Sequence, residues 1–107
     1  MFTYCIYNDD VRFIWDENKR RENLAKHGID FRDAWQLFDG PRLEFLDNRE
    51  DYSEDRCIGI GFIEGRVVAI VYTEPGEDTV RVISLRKATQ NEREKFEKEL
   101  AHRLGPR

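Results

Sequence analysis

The sequence predicts an α+β domain, one mostly antiparallel sheet with helices packed on it. Three observations carry that expectation. β-branched, apolar stretches follow one another closely at 56–63, 66–74 and 79–86. The turns between them are short, and short connections join antiparallel neighbours. Segments with helix start and stop signals lie on both sides, at 17–27 and 89–104. The expected order is β-α-α-β-β-β-β-α.

VRFIW (11–15) is β-branched and aromatic and reads as the first strand. Asp16 then reads as an N-cap for ENKRRENLAKH (17–27), which Gly28 closes in a left-handed conformation. That helix has a weak apolar face, little more than Leu24 and Ala25, and a basic side of Lys19, Arg20 and Lys26. Asp30 reads as the cap of a second short helix, FRDAWQLF, with Phe31, Ala34, Trp35 and Phe38 as its apolar stripe. Gly40-Pro41 ends it, and RLEFL (42–46) alternates as a strand. Residues 47–55 read as a polar acidic loop. RCIGIGFI (56–63) is a strand, Glu64-Gly65 a hairpin turn, and RVVAIVYTE (66–74) a central strand because it is nearly all apolar. PGED (75–78) is a turn and TVRVISLR (79–86) the last strand. Thr89 and Glu92 have the spacing of a capping box, and Phe96, Leu100 and Leu104 line the final helix. The first ten residues read as an extension, either an additional strand or a disordered tail.

The 107 residues fit a single domain. Charged residues make up 37% and apolar residues 39%, enough for one modest core under a heavily solvated surface. No apolar run reaches membrane-span length and the N-terminus has no signal-peptide pattern, so a cytoplasmic protein without a membrane partner is expected. Cys5 and Cys57 are far apart and read as reduced thiols. The net charge of −4 hides a polarity. Residues 39–55 hold seven acids against two arginines, whereas residues 79–107 hold eight basic residues against four acids. A polyanionic ligand is compatible with an acidic total when cations converge locally.

Arg86 and Lys87 close the last strand just before a helix start, where free N–H groups and the helix dipole favour a phosphate. The alternative is pairing with surface carboxylates. Strand parity places Val80, Val82, Ser84 and Arg86 on one face and Arg81, Ile83, Leu85 and Lys87 on the other. Arg56 is in phase with Ile58, Ile60 and Phe62, so it can share a surface with a late arginine if the strands pair. His27 is a candidate for proton transfer, because imidazole changes charge near neutral pH. Its place in a last helical turn also fits simple solvation. Trp15 and Tyr72 are candidates for base stacking, with a core position as the alternative for Trp15. The acidic loop fails a calcium-loop template, because Arg49 and Tyr52 stand where a ligand and a glycine are needed. No metal or cofactor is expected.

The segments FIWDENKRRENLAKHGIDFRDAWQLFD, EDR at 54–56 and VYTEPGEDTVRVISLRKATQNERE resemble the BrnT family of toxins from type II toxin–antitoxin systems. The resemblance spans residues 13–94, and Leu85 replaces the alanine that the family more often has. It implies a RelE-like ribonuclease fold and RNA cleavage that arrests translation. It also implies a BrnA-like antitoxin with a ribbon-helix-helix domain, two toxins binding an antitoxin dimer, and operator contact only through that antitoxin. The resemblance further implies a metal-independent reaction that uses the 2′-OH of the RNA as nucleophile. The expected phosphate-binding residues are Arg86 and Arg56, then Arg81 and Lys87. His27 or Glu74 is expected as base, and Lys19, Lys26, Trp15 and Tyr72 as RNA contacts. Two rivals are weighed: an inactive interaction module of the same fold that binds a ribbon-helix-helix partner, and a metal-dependent nuclease using the acidic loop.

Overall fold

Val11–Trp15 sits inside a sheet and not at its edge, because the segment before it also forms a strand. The computed structural model describes residues 4–8, 11–47 and 55–104. Its elements are β1 (Tyr4–Asn8), β2 (Val11–Trp15), α1 (Glu17–His27), a 3₁₀ turn (Phe31–Asp33), α2 (Ala34–Asp39), β3 (Arg42–Leu46), β4 (Cys57–Ile63), β5 (Arg66–Gly76), β6 (Thr79–Lys87) and α3 (Gln90–Leu104). The strands form one mixed sheet in the order β1-β2-β6-β5-β4-β3. Among the described strands only β2 and β6 run parallel.

The α+β class agrees with the sequence expectation, and the element order needs one correction. The first decapeptide contributes β1, which pairs antiparallel with β2 from Tyr4–Trp15 to Asn8–Val11. The turn expected at 75–78 also starts later. β5 continues through Pro75 to Gly76, where its register with β6 is irregular and a missing N–H costs little.

Local chemistry explains α1 better than its apolar face does. Asp16 accepts hydrogen bonds from the N–H groups of Asn18 (2.9 Å) and Lys19 (3.3 Å). Gly28 has φ +72° and its N–H returns to the Leu24 carbonyl, so the helix stops there. Arg20 does not belong to an open basic side. Its guanidinium pairs with Glu17 (2.6 Å) and Asp30 (3.1 Å), tying the helix to the loop beyond it. The second helical segment is broken. The 3₁₀ turn changes the phase, so Leu37 joins Phe31 and Ala34 in full burial while Trp35 and Phe38 are half-buried.

Two cores flank the sheet. Phe13, Trp15, Phe31, Leu37, Ile70 and Tyr72 pack on the side of α1 and α2. Ile58, Ile60, Ala69, Val71 and Phe96 pack on the side of α3. Phe96 meets Phe62 edge-on at 5.2 Å, and burying such a ring contributes about 1.5–3 kcal/mol. The expected capping box forms: Glu92 N–H donates to Thr89 Oγ1 (3.2 Å) and Thr89 N–H to Glu92 Oε1 (2.9 Å).

Candidate active site

A bulge in β6 decides which cations share a surface. Val71 pairs with Ser84 and Tyr72 with Val82, so β6 carries one extra residue at Ile83. The bulge breaks the simple alternation expected for this strand. Val80, Val82 and Leu85 all enter the core beneath α1 and α2. Arg86 then pairs with Ala69, and Arg81 with Thr73. Cross-strand partners share a face, and Ala69 and Thr73 lie at the same parity of β5. Arg81 and Arg86 therefore both stand on the α3 side, where strict alternation would have separated them. Lys87 pairs with Val68 and stands on the opposite side.

Arg56 completes a row. Cys57 pairs with Tyr72, so Arg56 falls beside Thr73, and its carbonyl accepts the Asp47 N–H at 2.8 Å. Asp47, Arg56, Thr73 and Arg81 thus lie side by side across four strands. Strand spacing puts the Arg56 and Arg81 backbones about 10 Å apart. Thr73 is 2% exposed, and its Oγ1 finds no hydrogen-bond partner among the described residues. The geometry is a half-buried surface flanked by two guanidinium groups.

Further along β6, α1 lies beside the part that β2 does not reach. A cavity of about 300 Å³ opens between them, lined by Lys19, Glu22, Asn23, Lys26, His27, Ile83 and Ser84. The cavity meets β6 at the bulge, between Arg81 and Arg86 in the chain. His27 is half-buried there, in the last turn of α1, and Lys19 and Lys26 are exposed on its rim.

Other candidates lie elsewhere. Arg86 makes a bidentate pair with Glu92, at 2.8 and 3.0 Å, and a further bond to the Lys87 carbonyl. The Arg86 guanidinium, with the Thr89 cap, lowers the pKa of the Glu92 carboxyl. The helix start that looked like a phosphate site is already served by its own capping box. Glu74 lines a separate cavity with Leu46, Asp55 and Cys57, and Cys57 borders the core on the other side of the sheet. Burial raises the Cys57 thiol pKa. Two stacking candidates are corrected by burial. Trp15 is fully buried against Phe31 and Tyr72 is 1% exposed, so neither ring can stack on a base. The Tyr72 hydroxyl donates to the Glu44 carboxylate, and burial followed by that bond raises its pKa. Among the described residues no group of His, Cys, Asp and Glu is arranged to hold a metal ion. Residues 48–54 of the acidic loop lie outside the described residues.

The sequence profile of the family described as "Ribonuclease toxin, BrnT, of type II toxin-antitoxin system" matches residues 15–92. The chain belongs to the BrnT family. The crystal structure of the Brucella abortus ribonuclease toxin, BrnT, matches this fold with a TM-score of 0.54 and 33% sequence identity. The match covers 71% of this chain and 94% of that one. Comparison with curated proteins gives no match. The BrnT match takes in α1, the Arg56–Thr73–Arg81 row and the β6 bulge. No helix among the described residues is long and apolar enough to cross a membrane.

Proposed function

We propose that this BrnT-family chain is a metal-independent endoribonuclease with a RelE-like active site, acting in the cytoplasm to inhibit translation. The observation that carries the reading is the Arg56–Thr73–Arg81 row, on the same strand as the Ile83–Ser84 wall of the α1–β6 cavity. In the reaction, the RNA 2′-OH attacks the adjacent phosphorus. A P–O2′ bond forms and the P–O5′ bond breaks, leaving a 2′,3′-cyclic phosphate and a free 5′-OH. Arg81 and Arg56 stabilise the pentavalent phosphate. His27 takes the 2′-OH proton, since its cavity meets β6 just beyond Arg81 while Glu74 lines a different cavity, and the imidazolium returns that proton through solvent to the departing 5′-oxygen. Lys19 and Lys26 hold the RNA backbone, Lys87 adds long-range attraction, and Arg86 fixes the end of the site through Glu92. The partner is a BrnA-like antitoxin carrying a ribbon-helix-helix domain, through which alone the complex reaches operator DNA.

The engagement of Arg86 with Glu92 favours a second reading, an inactive module in which the RKAT segment serves structure and partner binding. Incubation of the purified chain with labelled RNA in EDTA separates the two. New cyclic-phosphate ends support the nuclease, whereas intact RNA with a folded protein supports the module. Cleavage that EDTA abolishes supports a metal-dependent route.

A further inference from the structure

Among the described residues, the β3 edge is covered only at its start, where the Arg103 guanidinium of α3 donates to the Arg42 carbonyl (2.9 Å), and no partner reaches it further along. Among the described strands β3 pairs only with β4, so beyond Arg42 its far side has no neighbour in the strand order. Native edge strands are normally blunted by lysine, proline, a bulge or a covering element. β3 pairs regularly from Arg42–Gly61 to Leu46–Cys57. Its one cation, Arg42, is turned inward to the Phe38 carbonyl (2.9 Å) and the Glu44 carboxylate (3.2 Å). Phe45 and Leu46 are 41% and 55% exposed, the two most exposed large apolar residues among those described. They are consecutive, so one projects on each face of the sheet.

The hydrogen-bond alternation identifies which groups are open. Asp47 N–H donates inward to Arg56, so Asp47, Phe45 and Leu43 face β4. The N–H and C=O groups of Glu44 and Leu46 face outward. The electrostatic surroundings select the occupant. Glu44, Asp55 and Glu74 are exposed near this edge, and Asp55 and Glu74 share the cavity that Leu46 lines. Pairing β3 with a second copy of itself would bring two such acidic groups together. A basic strand would be drawn in.

We infer that the β3 edge is a strand-addition site for an extended, basic segment of a partner protein, one that alternates cations with β-branched residues. The partner's backbone bonds to Glu44 and Leu46, its apolar side chains cover Phe45 or Leu46, and a cation reaches Asp55 and Glu74. The inference does not depend on the ribonuclease reading.

The test uses the full chain and two synthetic peptides, acetyl-Lys-Val-Lys-Val-Lys-Val-amide and its glutamate counterpart. Hydrogen exchange is followed residue by residue by NMR. The expected result is new protection at the Glu44 and Leu46 amides with the lysine peptide, little change at Phe45, and no effect of the glutamate peptide. Leu46→Lys keeps every bond to β4 and should weaken the lysine peptide about tenfold or more, through lost apolar contact and added repulsion. Unchanged Phe45 protection in that variant reports an intact strand. Equal effects of both peptides would overturn the proposal. So would an absence of protection at millimolar lysine peptide, or concentration-dependent protection in the chain alone, which would assign the edge to a second copy.

Discussion

Asn23 and Leu85 are joined by two hydrogen bonds that stand in for a missing strand. Asn23 Nδ2 donates to the Leu85 carbonyl at 2.9 Å, and the Leu85 N–H donates to Asn23 Oδ1 at 3.1 Å. β2 pairs with β6 only at Thr79, Val80 and Arg81, so the rest of that edge needs another partner. One amide side chain satisfies both backbone groups and also donates to the Ile29 carbonyl at 3.1 Å. The contact docks α1 beside the bulge and so forms the cavity wall that carries His27.

Asn23→Ala should therefore cost about 2–5 kcal/mol, because buried backbone groups lose their partners. Asn23→Asp should be at least as damaging, since a carboxylate cannot donate to two carbonyls. Urea denaturation of both variants checks this. A loss below 1 kcal/mol in Asn23→Ala would show that water replaces the amide.

The Arg86–Glu92 pair should act as a structural clasp. Both side chains are largely shielded, at 25% and 15% exposure, so a double-mutant cycle on stability should give a coupling of about 1 kcal/mol. Arg86→Ala should lower stability and lower cleavage by less than Arg81→Ala does. The reverse ranking would return the phosphate to the end of β6.

Acid should weaken the fold in a defined window. Arg20, then Trp15, hold the Glu17 carboxyl down at about 2, against an ordinary 4.5, and Arg86 lowers that of Glu92. A depressed carboxylate contributes stability that is present above its unfolded pKa and is lost as pH falls through the folded one. The melting temperature should therefore fall between about pH 4.5 and 2, and Glu17→Gln should flatten the slope. An unchanged slope in that variant would contradict the assignment.

Much of this fold was legible because local signals agreed with tertiary need. The Asp16 cap, the Gly28 stop and the Thr89–Glu92 box all lie where the sequence puts them, since each is a backbone requirement met by one residue. β1 is ambiguous in the sequence, because a short apolar segment can be strand or tail and only its pairing with β2 decides. The site was only partly legible. Alternation cannot reveal a bulge, so it separated Arg81 from Arg86. Helix-start chemistry pointed to a phosphate at Arg86, but Glu92 occupies that guanidinium. Trp15 and Tyr72 show a related limit: an aromatic residue on a strand looks the same in sequence whether it faces RNA or core. The roles of Thr73 and Asn23 depend on register, which no motif displays.

The measurement that bears most directly on the central claim is single-turnover cleavage of a labelled RNA in EDTA by the native chain, Arg81→Ala and Arg56→Ala. Hydrogen exchange verifies the fold of each. The arginine row predicts cyclic-phosphate ends from the native chain and a loss on the order of 10²–10³ in rate for each variant. Undiminished cleavage by either folded variant would contradict its place in the phosphate site, and no cleavage by the native chain would contradict the nuclease reading on free RNA.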